Sequence, residues 1–413
     1  MKCRHCGSEL HLPFLDLGSA PPSNAYLSEA ALRAPEVWFP LRVLVCTHCW
    51  LVQTEDHAGR EALFTQDYAY FSSFSTTWLA HAQRYVDQMI ARFDLNASNC
   101  VVEVAANDGY LLQYVQQAGV PCYGIEPTTS TASAARGKGI DIVERFFGVE
   151  LAEELVRAGR QADLIAANNV LAHVPDINDF VSGFTRLLKP QGVVTFEFPH
   201  LLRMVQKNQF DTAYHEHYSY LSLTAVQRIF AANGLTVFDV EELPTHGGSL
   251  RVFAQRSDTC AHAQTPAVAA VLQMEATAGM TTPEFYREFQ HRAEKVKDDL
   301  VLFLIDAKRK GLKVGAYGAA AKGNTLLNFA GIRPDLLPYV VDKNPAKQGK
   351  CMPGSRIPIV DEAYLKAHRP DLILILPWNL REEVMTQLAY VQEWGGEFVT
   401  AVPSLEVSKA KSA

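Results

Sequence analysis

Residues 100–109 read Cys-Val-Val-Glu-Val-Ala-Ala-Asn-Asp-Gly, and the fold of this chain turns on how that stretch is read. Cys100–Ala105 has the length and apolarity of a buried strand, it runs into a polar turn, and Tyr110–Ala118 behind it has helical spacing. The alternation continues outward. Strand candidates at Cys122–Ile125, Ile140–Val143, Asp163–Ala167 and Gly192–Phe198 are separated by helical segments at Ser130–Arg136, Glu150–Ala158 and Ile177–Leu188, and Trp78–Ile90 precedes them all. This order predicts an α/β domain with a parallel sheet covered on both faces and ligands at the carboxyl ends of its strands. Glu103 lies in the first strand. Glu126 closes the second, in Gly124-Ile125-Glu126-Pro127, where a carboxylate can accept both hydroxyls of a ribose. The turn is not a dinucleotide loop, because Ala105 and Asn107 stand where G-x-G-x-x-G has glycines and their side chains hinder close approach of a pyrophosphate.

The chain has 413 residues, more than one domain of ~100–200 holds, so at least two are expected. Apolar residues make up 48% and charged residues 20%, a globular composition. Lys and Arg number 38 against 45 Asp and Glu, a net charge of −7 with no basic stripe, which argues against nucleic acid as a partner. No apolar run approaches the ~20 residues of a membrane span, and Met1–Cys6 has no signal-peptide core, so the expected location is the cytoplasm.

Reduced thiols are expected there, and four of the eight cysteines form two pairs, Cys3-x-x-Cys6 and Cys46-x-x-Cys49. Each tight turn presents two thiolates to one ion, and two turns complete a tetrahedral S4 shell. A redox Cys-x-x-Cys needs no second pair, so structural zinc is expected, closed and non-catalytic. His5 and His48 read as exposed neighbours of the thiolates, and Cys100, Cys122, Cys260 and Cys351 as small buried residues.

Beyond Arg251–Gln255, read as an edge strand, a polar and alanine-rich connection leads to a long helical run, Pro283–Lys310. Strands are expected at Lys313–Tyr317, Leu337–Asp342 and Asp371–Leu376, with residues 391–402 completing a second doubly wound sheet. Between the first of these strands and the following helix lies Gly318-Ala-Ala-Ala-Lys-Gly-Asn324, whose free amides and Lys322 face an anion. It is not a Walker loop; an NAD site stays open because Asp342 ends the next strand, although Gly315-x-x-Gly318 lacks the dinucleotide spacing.

Phe210–Tyr220 concentrates proton-transfer side chains, with Tyr214-His-Glu-His-Tyr218 at its centre. In an extended chain His215 and His217 would share a face and Glu216 would take the other. A His-x-His metal site lacks a convincing third ligand, which leaves proton transfer, substrate positioning or a buried structural histidine.

The Val102–Gly109 loop resembles motif I of class I S-adenosylmethionine-dependent methyltransferases, in the Asn-Asp-Gly form found in the sugar C-methyltransferases of deoxysugar biosynthesis. Cys3-x-x-Cys6 followed by Leu15-Asp-Leu-Gly-x-x-Pro-Pro-Ser-Asn24 is similar to that family's zinc-binding domain. Tyr214–Tyr218, His246-Gly-Gly-Ser-Leu-Arg251 and Gly318-x-x-x-Lys-Gly323 match in order, so the resemblance covers nearly the whole chain. It implies a zinc-binding domain at 1–70, an S-adenosylmethionine-binding methyltransferase domain at 71–256 and a Rossmann-like nucleotide-sugar domain at 257–413.

The resemblance also implies methylation at carbon 3 of a nucleotide-linked 4-keto-6-deoxyhexose, with dTDP as the expected nucleotide. A base removes the C3 proton, a donor stabilises the enolate, and the carbanion attacks the sulfonium methyl. Carried over by motif position, His217 is the base and Tyr214 and Glu216 shape the site. His173, in Asn168-Asn169-Val170-Leu171-Ala172-His173, is a second proton-transfer or enolate-stabilising candidate, and Tyr68, with Tyr70 close by, is a further active-site tyrosine. Glu126 binds the adenosine ribose. Glu103, Asn107, Gly109 and Asn168 line the cofactor side, Glu103 alternatively only holding the loop. Asn169, His246 and Gly247 fall to the sugar, Lys322 and Asn324 to the pyrophosphate, and Asp342 to the nucleotide. An NAD-dependent oxidoreductase, an O- or N-methyltransferase and a zinc scaffold for partner proteins remain as other readings, and no pattern indicates an oligomeric state.

Overall fold

The structure, a computed structural model, describes residues 1–57 and 71–409. The candidates Tyr68 and Tyr70 lie outside the described residues. Three sheets organise the described residues.

The central sheet has the order β10-β11-β8-β7-β4-β5-β6. Strands β4 (Val101–Val104), β5 (Cys122–Ile125), β6 (Ile142–Val143), β7 (Ala162–Asn168) and β8 (Leu188–Pro199) are parallel, while β11 (Ser249–Arg256) runs antiparallel to both β8 and β10 (Leu235–Leu243). All four residues of β4 are buried, as a strand covered on both faces requires. Strand order reverses at β4, so the Ala105–Gly109 turn opens at the switch point. One expectation is corrected here: Arg251–Gln255 is not an edge. It lies in β11 with a partner on each side, and Val252, Phe253 and Ala254 are fully buried. The edge is β10, whose acidic end, Glu241-Glu242, suits a strand with one solvated side.

The N-terminal sheet, β1 (Leu12–Ala20), β2 (Phe39–Val45) and β3 (Val52–Thr54), recruits its fourth strand, β9 (Ser219–Tyr220), from far along the chain. Val52 pairs with Tyr220 and Gln53 with Ser219. The sheet is wedged between the other two units. Leu44, Leu51 and the cysteines share a core with the central sheet, while Phe14 and Val43 share one with the C-terminal unit.

The C-terminal sheet runs β14-β13-β12-β15-β16-β17, parallel except for the last strand. Its strands are β12 (Val314–Tyr317), β13 (Val340–Val341), β14 (Ile359–Val360), β15 (Leu372–Ile375), β16 (Glu397–Thr400) and β17 (Glu406–Lys409). The alanine-rich connection contains a helix of its own, Pro266–Thr277, begun by a proline at its first turn, and the long helical run is broken into Glu284–Arg287 and Phe289–Arg309. Of the cysteines expected to be buried, Cys260 is exposed and Cys100, Cys122 and Cys351 are half-buried. Among the described residues no helix is long and apolar enough to cross a membrane.

Candidate active site

A cavity of about 420 Å3 opens at the switch point of the central sheet and extends to the C-terminal unit. Its first wall is built from strand ends. Ala105 and Asn107 hold left-handed backbone, at φ 62° and 49°, which folds the β4 turn back so that Asn107 donates its backbone N–H to Glu126 Oε2 at 2.9 Å. The other Glu126 oxygen accepts from the Thr128 N–H at 2.9 Å. Burial raises the Glu126 pKa, and these amides act in the opposite direction. Asn168 ends β7 and Asn169 follows it on the same wall, each with a buried side-chain oxygen that no protein group satisfies. A carboxylate and unsatisfied amides at the mouth of a switch-point cavity suit the ribose and methionine groups of S-adenosylmethionine. Glu103 and Gly109 stand behind this wall. Glu103 is fully buried, which pushes its pKa well above the carboxylate range.

The middle of the cavity holds the proton-transfer groups. Residues 214–217 form a turn closed by His217 N–H to the Tyr214 carbonyl at 2.9 Å, so the two histidines do not share a face as an extended segment would make them. His215 is drawn to the Pro40 carbonyl at 3.2 Å, under the N-terminal sheet. His217 lines the cavity, with Nδ1 2.8 Å from the Thr212 carbonyl and Nε2 2.7 Å from the Tyr214 hydroxyl. A carbonyl only accepts, so Nδ1 carries the proton and Nε2 the lone pair. His173 repeats the arrangement, with Nδ1 2.8 Å from the Glu216 carbonyl and ring centroids 4.6 Å from His217. Burial lowers the His173 pKa to about 4, and burial together with the neighbouring His173 holds His217 well below its usual value. Both rings are therefore neutral at pH 7. Glu216 is buried away from the cavity and accepts from Asn24 at 3.1 Å.

The far wall carries His246, Lys322 and Lys347. His246, at φ 52°, has a pKa lowered to about 4 by burial and then by the charge of Lys322. Lys322 lies 4.4 Å over the Trp378 ring and donates to Asn379 at 2.9 Å, and burial lowers its pKa to about 8. Gly247 touches this wall from behind, since a Cβ there would lie 2.8 Å from the Trp378 ring. Asn324 and Asp342 do not reach the cavity. Asn324 donates to the Ser23 carbonyl at 2.5 Å, and Asp342 accepts the Ala319 and Asn344 amides at 2.7 and 2.8 Å.

Several lining residues carry no motif of their own: Trp78, Tyr110, Phe146 and Lys347. Asn24 was within reach, since it closes the Pro-Pro-Ser-Asn segment, but the contact that gives it meaning is with Glu216, distant in sequence.

Apart from this cavity, the Sγ atoms of Cys3, Cys6, Cys46 and Cys49 lie within 4.8 Å of one another, with Cys3–Cys49 and Cys6–Cys46 at 3.5 Å. Zinc–sulfur bonds of about 2.3 Å place tetrahedral sulfurs roughly 3.8 Å apart, so the four thiolates fit a closed structural zinc site. Among the described residues no other cluster has a metal-ligand arrangement.

Residues 3–64 match a zinc binding domain, 78–240 a methyltransferase domain and 244–403 the C-methyltransferase C-terminal domain. The C-methyltransferase NovU of Streptomyces niveus is 34% identical over 411 residues, covering 100% of this chain and 97% of that protein. The chain belongs to the C-methyltransferase family. It is an S-adenosylmethionine-dependent enzyme with a zinc-binding N-terminal segment. The ubiquinone biosynthesis O-methyltransferase of Bordetella avium (strain 197N) is 30% identical over 98 residues, 23% of this chain and 41% of that protein. The magnesium protoporphyrin IX methyltransferase of Synechocystis PCC 6803, solved with bound SAM, is 16% identical with a TM-score of 0.35, covering 49% of this chain and 100% of that one.

Proposed function

We propose that this C-methyltransferase methylates carbon 3 of a nucleotide-linked 4-keto-6-deoxyhexose, with dTDP as the nucleotide, through an enolate. The observation that carries this reading is the pair of neutral histidines, each held by a main-chain carbonyl as the Nδ1–H tautomer at the centre of the cavity. Transfer to oxygen or nitrogen needs no carbon base, whereas a C–H beside a ketone does. S-adenosylmethionine supplies the methyl group as an electrophile.

His217 takes the C3 proton on Nε2, directly or through Tyr214, whose hydroxyl passes its own proton to Nε2 as it accepts another. The imidazolium keeps its Nδ1–H bond to Thr212, so the ring does not rotate on charging. His173 faces the same space, and with its Nδ1–H given to the Glu216 carbonyl its Nε2 is a second acceptor that takes or relays a proton rather than donating to the enolate oxygen. Glu216 acts from behind, through Asn24 and through its carbonyl on His173. Glu126 binds the adenosine ribose; Asn107 and Asn168 complete that wall, with Glu103 and Gly109 supporting it. Asn169 and His246 contact the sugar and Gly247 backs them. Lys322, with Lys347 beside it, gives the diphosphate a positive wall that Asn324 and Asp342 brace.

The test is incubation with S-adenosylmethionine and a panel of nucleotide-linked 4-keto-6-deoxy sugars in D2O, read by mass. A methyl on carbon, with deuterium uptake that falls about 10²-fold or more in His217→Ala while cofactor affinity holds, is the expected result. A methyl on oxygen or nitrogen, or C-methylation indifferent to His217, would overturn the mechanism.

A further inference from the structure

Arg4 lies inside the first zinc turn, between Cys3 and Cys6, yet its side chain is only 5% exposed and points away from the thiolates. Nη1 donates to the Pro175 carbonyl at 3.0 Å. Nη2 donates to the Thr54 carbonyl at 2.9 Å and to Asp56 Oδ1 at 2.9 Å. The guanidinium sits 5.2 Å from the centroid of the Tyr218 ring. These contacts converge on the two histidines. Pro175 is two residues beyond His173, and Tyr218 follows His217. Thr54 donates its hydroxyl to the His217 carbonyl at 2.6 Å and its N–H to the Tyr218 carbonyl at 3.1 Å.

The zinc end of the linkage is equally direct. The Arg4 N–H donates to Gln53 Oε1 at 2.9 Å, and Gln53 Nε2 reaches Cys3 Sγ at 3.2 Å. His5 makes a second bridge, exchanging bonds of 2.8 Å with Asn178 just beyond the Pro175 turn. A zinc turn that served only to fold its own segment would have no use for a buried, forked cation bonded to main-chain carbonyls of another unit.

We propose that Arg4 is a positioning residue, through which the zinc turn sets the registry of His173 and His217. The proposal rests on the proton-transfer roles assigned to those histidines. A lysine cannot reproduce it, because one ammonium on a flexible stem cannot span the Pro175 and Thr54 carbonyls as a planar fork does.

The test compares the full-length, zinc-loaded enzyme with Arg4→Lys and Arg4→Gln. Zinc content, the thiolate absorption of the cobalt-substituted protein and S-adenosylmethionine affinity should match the unsubstituted enzyme. kcat should fall about 10²-fold with KM little changed, the cost of about 1 Å of misplacement. The imidazole 15N resonances of His173 and His217 should move while that of exposed His291 stays. If either Arg4 variant loses zinc, Thr54→Val removes the bond to the His217 carbonyl outside the zinc turn, and should shift the His217 resonance and lower kcat. Unmoved resonances, unchanged kcat, or losses that track only zinc content and melting would overturn the proposal. The resonances need no sugar, so failure of the sugar reading shows as an inactive unsubstituted enzyme in which they still respond to Arg4. Failure of the Arg4 proposal shows as an active enzyme indifferent to the change.

Discussion

Replacing Arg251 with methionine should expose how the central sheet tolerates a charge cluster in its interior. Arg251 is 2% exposed and Glu197 fully buried, with Nη2 donating to Glu197 Oε2 at 3.1 Å. Nη1 reaches Glu241 at 3.1 Å, and the guanidinium lies 4.8 Å from the Tyr85 ring centroid. His81 Nε2 lies 2.8 Å from the same Oε2 and 3.0 Å from Oε1, and Thr245 donates to Oε1 at 3.0 Å. Burial alone would raise the Glu197 pKa, but His81, Arg251 and Thr245 outweigh it and the net shift is downward. Methionine restores much of the volume and none of the charge. Removing one partner of a buried pair costs about 3–5 kcal/mol, and because His81 and Thr245 remain, the lower end, about 3 kcal/mol, is expected. The sign with pH follows from the shift. A carboxylate with a depressed folded pKa contributes stability above its unfolded pKa and loses it as pH falls through the folded one, so the penalty should be largest near pH 7 and shrink in acid. Urea unfolding followed by circular dichroism, on Arg251→Met, Glu197→Gln and the double variant, should give a coupling of about 1–3 kcal/mol. A loss below about 1 kcal/mol at pH 7, or additive single effects, would refute the reasoning.

Three further outcomes are expected. Glu126→Ala should weaken S-adenosylmethionine binding about tenfold or more by calorimetry, as loss of a charged hydrogen-bonding group implies, and unchanged affinity would remove Glu126 from the ribose site. Stripping zinc with a strong chelator should lower the melting temperature in step with metal release, and prompt inactivation with an unchanged melt would point to a different role for the metal. The pKa values of His173, His217 and His246 lie below the usual 6.5, so the unfolded chain binds more protons below that pH and their contribution to stability falls as pH drops from about 6.5 toward 4. His217→Ala should flatten the dependence of the denaturation midpoint over that interval, and an unchanged slope would mean that the folded ring is already charged.

The parts legible in the sequence are those written by neighbours. The alternation from Val101 to Pro199 is set by which residues can sit in a twice-covered strand or on a helix face, and it survives with shifts of a few residues. Cys3, Cys6, Cys46 and Cys49 declare a zinc site because the two-residue spacing is itself the chelating geometry. Glu126 could be placed because a strand end is a position in both sequence and space.

Pairing between distant segments left no local mark. β9 is two residues long and has no pattern of its own; its register with Val52 and Gln53 makes it a strand and helps bring the zinc unit to His217. The turn at 214–217 parts His215 from His217, although an extended segment would have aligned them, and it takes its shape from the Thr212, Tyr214 and Pro40 carbonyls. β11 became a central strand because β10 adds outside it, a choice made by sheet register rather than by the residues of β11. By itself, then, the sequence determined the three units, the metal and the chemistry on offer. The tertiary structure decided which histidines face the cavity, in which tautomer, and that Arg4 of the zinc turn bonds the Pro175 and Thr54 carbonyls beside them. Those properties depend on carbonyls and rings brought together from separate units, and hydrogen bonds of that kind exist only once the chain has closed on itself.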